Sequence, residues 1–251
     1  FSNALRTGFN ADDAEPQLVN IATDGESYGH HHKHGDMALA FCLDHIHKLK
    51  HNHLMNYAQF LNKFPALYEA QIHENSSWSC VHGVERWRSD CGCNTGGNPY
   101  WNQKWRKPLR EALDWLRDEL ITIYEREASG ILKDPWKARD EYINVILNRN
   151  DDTIRKFLKD HCIKVVEQNK VFRLLEMQRN ALLMYTSCGW FFDEVSGIET
   201  VQILQYACRA IQLLHQTVGA DFEAEFIRRL EQTPSNIPSL ENAGNVYRRY
   251  V

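Results

Sequence analysis

The amino-acid sequence predicts a mainly α-helical protein in which one β-strand precedes a bundle of helices. Beyond Gly35, apolar residues recur with helical spacing in one segment after another. By contrast, residues 18–23 form a short, β-branched and mostly apolar run that ends at Asp24-Gly25, as is typical of a buried parallel strand. We find no second run of this kind, so the chain cannot complete a sheet by itself. This favours a chain that is part of a longer protein.

Composition narrows the possible partners. The 251 residues are 43% hydrophobic and 25% charged, which is ordinary for a globular protein. Lys and Arg total 29 against 33 Asp and Glu, without a basic block, so neither nucleic acid nor an anionic membrane is expected as a partner. No apolar run approaches the roughly 20 residues of a membrane span. Seven cysteines without a secretion signal predict a reduced, cytoplasmic setting.

The first helices follow the strand. One helix is predicted over residues 36 to about 50, and a second over residues 55–63, which ends before Pro65 because proline disfavours helix in the preceding residue. Residues 72–99 are rich in Ser, Cys, Gly and Trp and show no period. Such a long stretch without regular structure predicts a binding loop.

The rest of the chain predicts a bundle. Residues 104–128 carry an apolar stripe that predicts a helix. Further helices are predicted over residues 135 to about 149 and 164 to about 187. Between these two, a short helix is predicted to begin at a cap, Asp151 or Asp152, and to end at residue 161. Ser196 and Glu199 match a capping box, which predicts a helix from there to residue 218. A last helix is predicted over residues 222–232, and Pro234 begins a polar tail.

The segment that follows the strand contains the first candidate chemistry. Asp24, Glu26 and Tyr28 precede a run of histidines at positions 30, 31, 32 and 34. Enzymes assemble sites at the ends of parallel strands, where a carboxylic acid with a raised pKa can donate a proton. An ordinary turn with Asp and Gly is an equally good interpretation. The histidines lack the spacing of a zinc-binding helix, so polar loop residues are favoured over metal ligands.

Residues 23–30, Thr-Asp-Gly-Glu-Ser-Tyr-Gly-His, resemble the fourth conserved region of glycoside hydrolase family 57. The resemblance implies that Asp24 is the general acid/base and that Glu26 and His30 support it or contact sugar. Residues 75–93 and 184–193 resemble signatures of an uncharacterised C-terminal domain attached to some members of that family. Together the three segments span most of the chain.

The resemblance implies a domain organisation and a function. Residues 1–35 would be the end of a distorted (β/α) barrel, and residues 36–251 a helical C-terminal domain. The chain would be the C-terminal part of a retaining α-glucan hydrolase or glucanotransferase, with an oligosaccharide or polysaccharide as substrate and no cofactor. Retaining glycosidases use two carboxyl groups about 5 Å apart. The glutamate nucleophile is missing here, so the N-terminal barrel portion of the same protein is the implied partner.

Two regions of the predicted helical domain suit sugar recognition. An aromatic face can stack on a sugar ring while charged groups bind hydroxyls, although aromatic clusters are also common in cores. The candidate contacts are Trp78, Arg86, Trp87 and Asp90 in the loop, with Trp190 and Asp193 between two helices.

Four possible metal ligands, Cys80, His82, Cys91 and Cys93, lie in the same loop. Their Cys-x-His and Cys-x-Cys spacings differ from the usual zinc motifs, so buried free thiols are predicted and no metal ligand is assigned. Two other functions stay open from the sequence. One is a metal-dependent carbohydrate hydrolase or deacetylase that uses the histidine run on a related barrel. The other is a helical interaction domain without chemistry of its own.

Overall fold

Helices make up the regular structure of the computed structural model, which describes residues 2–10, 12, 15–49, 52–164 and 167–251. The predicted mainly α-helical fold class is therefore confirmed. The chain divides into two compact units, Phe1–Ile72 and His73–Val251. This division lies further along the chain than the predicted domain boundary at residue 35.

The described part of the first unit contains three helices: α1 (Ser2–Arg6), α2 (Gly35–His47) and α3 (Tyr57–Lys63). Helix α3 begins with a capping box that the sequence analysis missed, in which the side chains of Asn56 and Gln59 each accept the other's backbone N–H. The predicted helix after residue 35 is present as α2, and Lys50 at its predicted end lies outside the described residues.

Residues 18–23 do not form the predicted strand. Leu18 and Ile21 are 40% and 47% exposed, so the run is not buried either. A strand is stabilised by hydrogen bonds to a neighbouring strand, and no strand exists to pair with it in the described part of this unit.

The second unit is a helical bundle. Its helices are α4 (Arg106–Ala128), α5 (Pro135–Glu141), α6 (Ile143–Leu147), α7 (Asp151–His161), α8 (Gln168–Leu183), α9 (Cys188–Phe191), α10 (Ile198–Val218), α11 (Glu223–Leu230) and α12 (Ala243–Tyr250). Helix α10 packs on α8 and α9, while α4 packs on α8 and α11. The predicted stripe of α4 is confirmed, since Leu109, Leu113, Leu116, Leu120 and Tyr124 are fully buried. Each such side chain stabilises the fold by about 2 kcal/mol.

Several helix boundaries differ from the prediction. The predicted helix over residues 135–149 is divided at Tyr142 into α5 and α6. The Tyr142 hydroxyl donates a 2.6 Å hydrogen bond to Glu176 of α8. Helix α7 is capped by Asn150, one residue before the predicted aspartates. The predicted start of α8 includes residues 165 and 166, which lie outside the described residues. Helix α10 begins after Gly197 without a side-chain cap, so the predicted capping box does not form.

The predicted polar tail after Pro234 is wrong, because residues 243–250 form helix α12. Asn242 caps this helix by accepting a hydrogen bond from Asn245 N, and Val246 is fully buried. The Tyr247 ring packs edge-on against Phe226 of α11 at 5.8 Å. The many polar residues of the segment lie on the outer face of α12. Because of them, the sequence analysis did not recognise a short amphipathic helix. Across the described residues, no helix is long and apolar enough to cross a bilayer.

Candidate functional site

The candidate site of the second unit lies in residues 73–104, here called the Cys-rich loop, which precede α4. Its only regular element is a 3₁₀ turn, Glu85–Trp87. The turn is held against the bundle, since Trp87 Nε1 donates to the carbonyl oxygen of Ser187 at 3.2 Å. Arg110 of α4 donates in turn to the Trp87 carbonyl oxygen at 3.4 Å. The loop has little regular secondary structure, and hydrogen bonds to the bundle hold it in position instead.

A second attachment lies near the end of the Cys-rich loop. The backbone N–H of Asn102 donates to Asn236 Oδ1 at 3.1 Å, and Asn236 Nδ2 donates back to the Asn102 carbonyl oxygen at 2.8 Å. Asn236 also donates to the Asp193 carbonyl oxygen at 2.8 Å and, through its backbone, to Glu194 at 2.7 Å. Asn236 therefore joins three segments that are far apart in sequence.

Two of the predicted sugar contacts are buried. Trp190 is fully buried and stacks on Trp105, with ring centroids 6.4 Å apart and planes at 17°. The Asp193 carboxylate is buried and accepts two hydrogen bonds from Thr95, from its backbone N–H at 2.9 Å and its hydroxyl at 2.5 Å. Asp193 thus attaches the Cys-rich loop to the bundle, whereas Trp190 packs in the core beside Trp105.

Three further predicted contacts belong to the loop itself. Trp87 is half-buried, and Asp90 accepts a 3.0 Å hydrogen bond from the backbone N–H of Gln103. Arg86 is only 5% exposed, and its guanidinium lies 4.3 Å from the centre of the Phe191 ring. Of these three side chains, Arg86 also borders a cavity.

Trp78 is the predicted aromatic contact that is open to solvent, with 86% of its surface exposed. It lies at a cavity of about 380 Å³, which is lined by Ser77, Trp78, Ser79, Cys80, Val81, Arg86, Cys93 and Asn94. The cavity brings an exposed aromatic face together with a buried cationic group. That combination can bind a ring with both apolar and hydroxyl-bearing faces.

The same loop brings Cys80, His82, Cys91 and Cys93 together, with their ligand atoms within 4.8 Å of one another. Cys80 Sγ lies 3.9 Å from Cys91 Sγ and 3.7 Å from Cys93 Sγ. His82 Nδ1 lies 3.9 Å from Cys80 Sγ and 3.5 Å from Cys93 Sγ. Among the described residues, this is the group of His, Cys, Asp and Glu side chains close enough to share one ion. The sequence analysis named these four side chains as possible ligands, but their spacing along the chain argued against a metal site.

Glycines with left-handed backbone shape this cluster. Gly83 has φ 74°, and a Cβ there would lie 2.1 Å from the Asn75 carbonyl oxygen. Its N–H donates to the Cys80 carbonyl oxygen at 3.1 Å, and its own carbonyl oxygen accepts from the Ser77 hydroxyl at 2.8 Å. This turn sets His82 beside Cys80. Gly92, with φ 80°, turns the chain between the other two cysteines.

The surroundings lower the pKa of the Cys80 thiol and raise the pKa of the Cys91 thiol. Burial alone would raise the pKa of Cys80, but hydrogen bonds from the backbone of His82 and Arg86 and from the side chains of His82 and Cys93 lower it from 9.0 to about 7. Burial raises the pKa of Cys91. A negative charge is therefore stabilised at Cys80, on the inner side of the cluster.

The predicted chemistry of the first unit lies in an exposed turn. The Asp24 carbonyl oxygen accepts a 3.1 Å hydrogen bond from Ser27 N, while the side chains of Asp24, Glu26 and His30 are open to solvent. Glu26 lies 3.6 Å from His31 Nε2, and the His30 and His31 rings meet edge-on at 5.0 Å. These histidines are described, and they do not gather into a group able to share an ion.

Comparison with known proteins gives one match. A family model described as a domain of unknown function, DUF3536, matches residues 101–251, which is more than half of the chain. No curated protein and no solved structure matches. The matched region contains helices α4 to α12 and the segment 184–193, while the Cys-rich loop lies almost wholly before it.

Proposed function

We propose that this chain, which belongs to the DUF3536 family, is the helical C-terminal part of an α-glucan-processing enzyme related to glycoside hydrolase family 57. The motif of residues 23–30 supports the relation to the hydrolase family, and the family match over residues 101–251 supports the C-terminal domain. The reaction is retaining hydrolysis or glucan transfer, for which the barrel portion of the same protein supplies the nucleophile.

In this proposal Asp24 is the general acid/base. Its carboxyl group protonates the leaving glycosidic oxygen, and its carboxylate then activates the incoming water or sugar hydroxyl. Its position in an exposed turn leaves the side chain accessible to a substrate. Glu26 lies beside His31 in the same turn, which is consistent with a supporting part for this carboxylate.

The observation that carries the sugar-binding part of the proposal is Trp78. A tryptophan that is 86% exposed gains nothing from burial in the chain itself, yet it stands at a cavity bordered by the Arg86 guanidinium. Stacking of a glucose ring on Trp78, with a hydroxyl hydrogen-bonded to Arg86, would use both features. The cavity volume of about 380 Å³ is within the range of small-molecule sites.

Calorimetric titration of the chain with maltooligosaccharides tests this site. We expect Trp78→Ala to weaken binding by about 10- to 30-fold, as loss of a central aromatic contact does. Tyr100→Ala is the matched control, because Tyr100 is 91% exposed in the same loop but does not line the cavity. If Trp78→Ala and the wild-type chain bind maltooligosaccharides with equal affinity, the cavity at Trp78 is not the sugar site. A folded wild-type chain that binds no oligosaccharide would favour a helical interaction domain.

Activity on maltooligosaccharides in the protein that joins this chain to its barrel tests the catalytic part. Asp24→Asn should lower kcat by about 10²- to 10⁴-fold, the usual contribution of a general acid/base. Asp36→Asn, which changes another exposed carboxylate in the same unit, should leave kcat unchanged. Turnover by Asp24→Asn at the wild-type rate would exclude Asp24 from the mechanism.

A further inference from the structure

We propose that Cys80, His82, Cys91 and Cys93 bind one Zn²⁺ ion, which holds the Cys-rich loop in its folded shape. Two of the ligands, Cys80 and Cys93, also line the cavity beside Trp78, but none of the four is a proposed sugar contact. The chemistry of the zinc site is structural, and no step of glycoside hydrolysis depends on it.

Geometry is the first argument. Zinc–sulfur bonds of about 2.3 Å and zinc–nitrogen bonds of about 2.0 Å, in a tetrahedron, place sulfurs about 3.8 Å apart and sulfur and nitrogen about 3.5 Å apart. The two sulfur–sulfur distances from Cys80 are 3.9 and 3.7 Å. The distances from His82 Nδ1 to Cys80 Sγ and Cys93 Sγ are 3.9 and 3.5 Å. Four of the six ligand–ligand distances therefore match a zinc tetrahedron, and all four ligand atoms lie within 4.8 Å of one another.

The donor set selects the ion. Three thiolates and one imidazole are soft and borderline ligands, which suit zinc and do not suit magnesium or calcium. A disulfide is the main competitor, but bonded sulfurs lie about 2.05 Å apart. The separations of 3.7 and 3.9 Å are nearly twice that distance, and a disulfide would leave the third thiol and the imidazole unused.

Charge around the cluster is the second, independent argument. A centre with one Zn²⁺, three thiolates and a neutral imidazole carries one net negative charge. Arg106 is fully buried and interacts electrostatically with Cys91. Its Nη2 donates to two backbone carbonyl oxygens, while its Nε and Nη1 find no acceptor among the described residues. Asp193 and Asp90 also act on this cation, but Arg86 opposes them, and an anionic metal centre at Cys91 adds a further negative charge that stabilises the buried guanidinium.

Closed coordination gives the centre its role. Four protein ligands fill the tetrahedron, so no position is left for a reacting water. The ligands come from the two sides of the 3₁₀ turn, with Cys80 and His82 before it and Cys91 and Cys93 after it. One ion thus ties together a loop that has little secondary structure. The same ion fixes the segment that carries Trp78.

Elemental analysis of the full chain, purified under reducing conditions without a histidine tag, is the test. We expect about one zinc per chain. Cobalt exchanged for zinc should give the visible absorption of a tetrahedral thiolate complex, and removal of zinc by a chelator should lower the melting temperature. A folded chain without metal, whether its cluster thiols are free or form a disulfide by mass, would overturn the proposal. Stoichiometric iron in place of zinc would overturn the assignment of the ion.

Matched variants locate the ion. Cys91→Ser and His82→Ala should each lower zinc affinity by more than about 100-fold, since loss of a supporting residue around a ligand already costs 10- to 100-fold. Cys188→Ser and His73→Ala change exposed residues outside the cluster and should keep full affinity. If Cys91→Ser does not fold, the zinc affinity of His82→Ala and the zinc content of the wild-type chain still test the proposal. Wild-type affinity in His82→Ala would refute the site, and none of these readouts depends on oligosaccharide binding.

Discussion

Substituting alanine at Gly83 tests whether one close backbone contact shapes the Cys-rich loop. A Cβ at this position would lie 2.1 Å from the Asn75 carbonyl oxygen, far inside van der Waals contact. Because the obstacle is backbone, relief requires the chain itself to move. Gly96 has almost the same φ, 79° against 74°, but a Cβ there meets no atom within 4 Å. The pair separates steric overlap from backbone strain.

The magnitude follows from the contacts. A left-handed conformation costs an alanine about 1–2 kcal/mol, which applies equally to Gly83→Ala and Gly96→Ala. Moving Gly83 away from Asn75 also disrupts its hydrogen bonds to Cys80 and Ser77, worth about 1 kcal/mol each. We therefore expect Gly83→Ala to lower the free energy of unfolding by about 3–4 kcal/mol, and Gly96→Ala by about 1–2 kcal/mol.

Urea unfolding of both variants gives these free energies. Amide hydrogen exchange of residues 75–83 reports the same distortion if the loop opens without the bundle. Equal effects of Gly83→Ala and Gly96→Ala in both measurements would refute the reasoning, because strain alone would then explain the loss. In that case the close approach to Asn75 would not determine the position of His82.

Three further predictions concern burial, hydrogen bonding and pH. Trp190→Ala should lower the free energy of unfolding by about 3–5 kcal/mol, whereas Trp78→Ala should change it by less than about 0.5 kcal/mol in the same urea titration. Asp193→Asn should destabilise the chain by about 2 kcal/mol and speed hydrogen exchange of the Thr95 amide, because a charged acceptor is lost; unchanged exchange would contradict it. Burial and a hydrogen bond to a carboxylate raise the pKa of Tyr142 from 10.0 to about 12, so its contribution to stability is complete below about pH 10 and is lost as the pH rises toward 12. Unfolding measured at about pH 9 and 11 should show a smaller fall in Tyr142→Phe than in wild type.

The long helices were predictable from the sequence because one face of each is buried. Leu109, Leu113 and Leu116 recur at helical spacing, and the same residues are fully buried in α4. Segments whose state depends on distant partners were not predictable. Residues 18–23 have the composition of a strand, but the described residues offer no strand to pair with. Helix α12 is short and is stabilised by packing on α11.

The site was harder to predict because side chains of one type take different roles. Trp78 and Trp190 both looked suited to sugar binding, yet one is exposed and the other fills the core beside Trp105. The Cys-His cluster depends on left-handed backbone at Gly83 and Gly92, which brings four ligand atoms with unusual sequence spacing to within 4.8 Å of one another. Propensity and periodicity do not report such turns.

The reciprocal hydrogen bonds between Asn102 and Asn236 have a consequence for synthesis on the ribosome. These residues are 134 positions apart, so the first is made long before the second leaves the exit tunnel. Until Asn236 emerges, the attachment of the Cys-rich loop near its end is incomplete, and its cysteines lack that support. The Cys-rich loop is therefore one of the first parts of the second unit to be synthesised and one of the last to complete its hydrogen bonds.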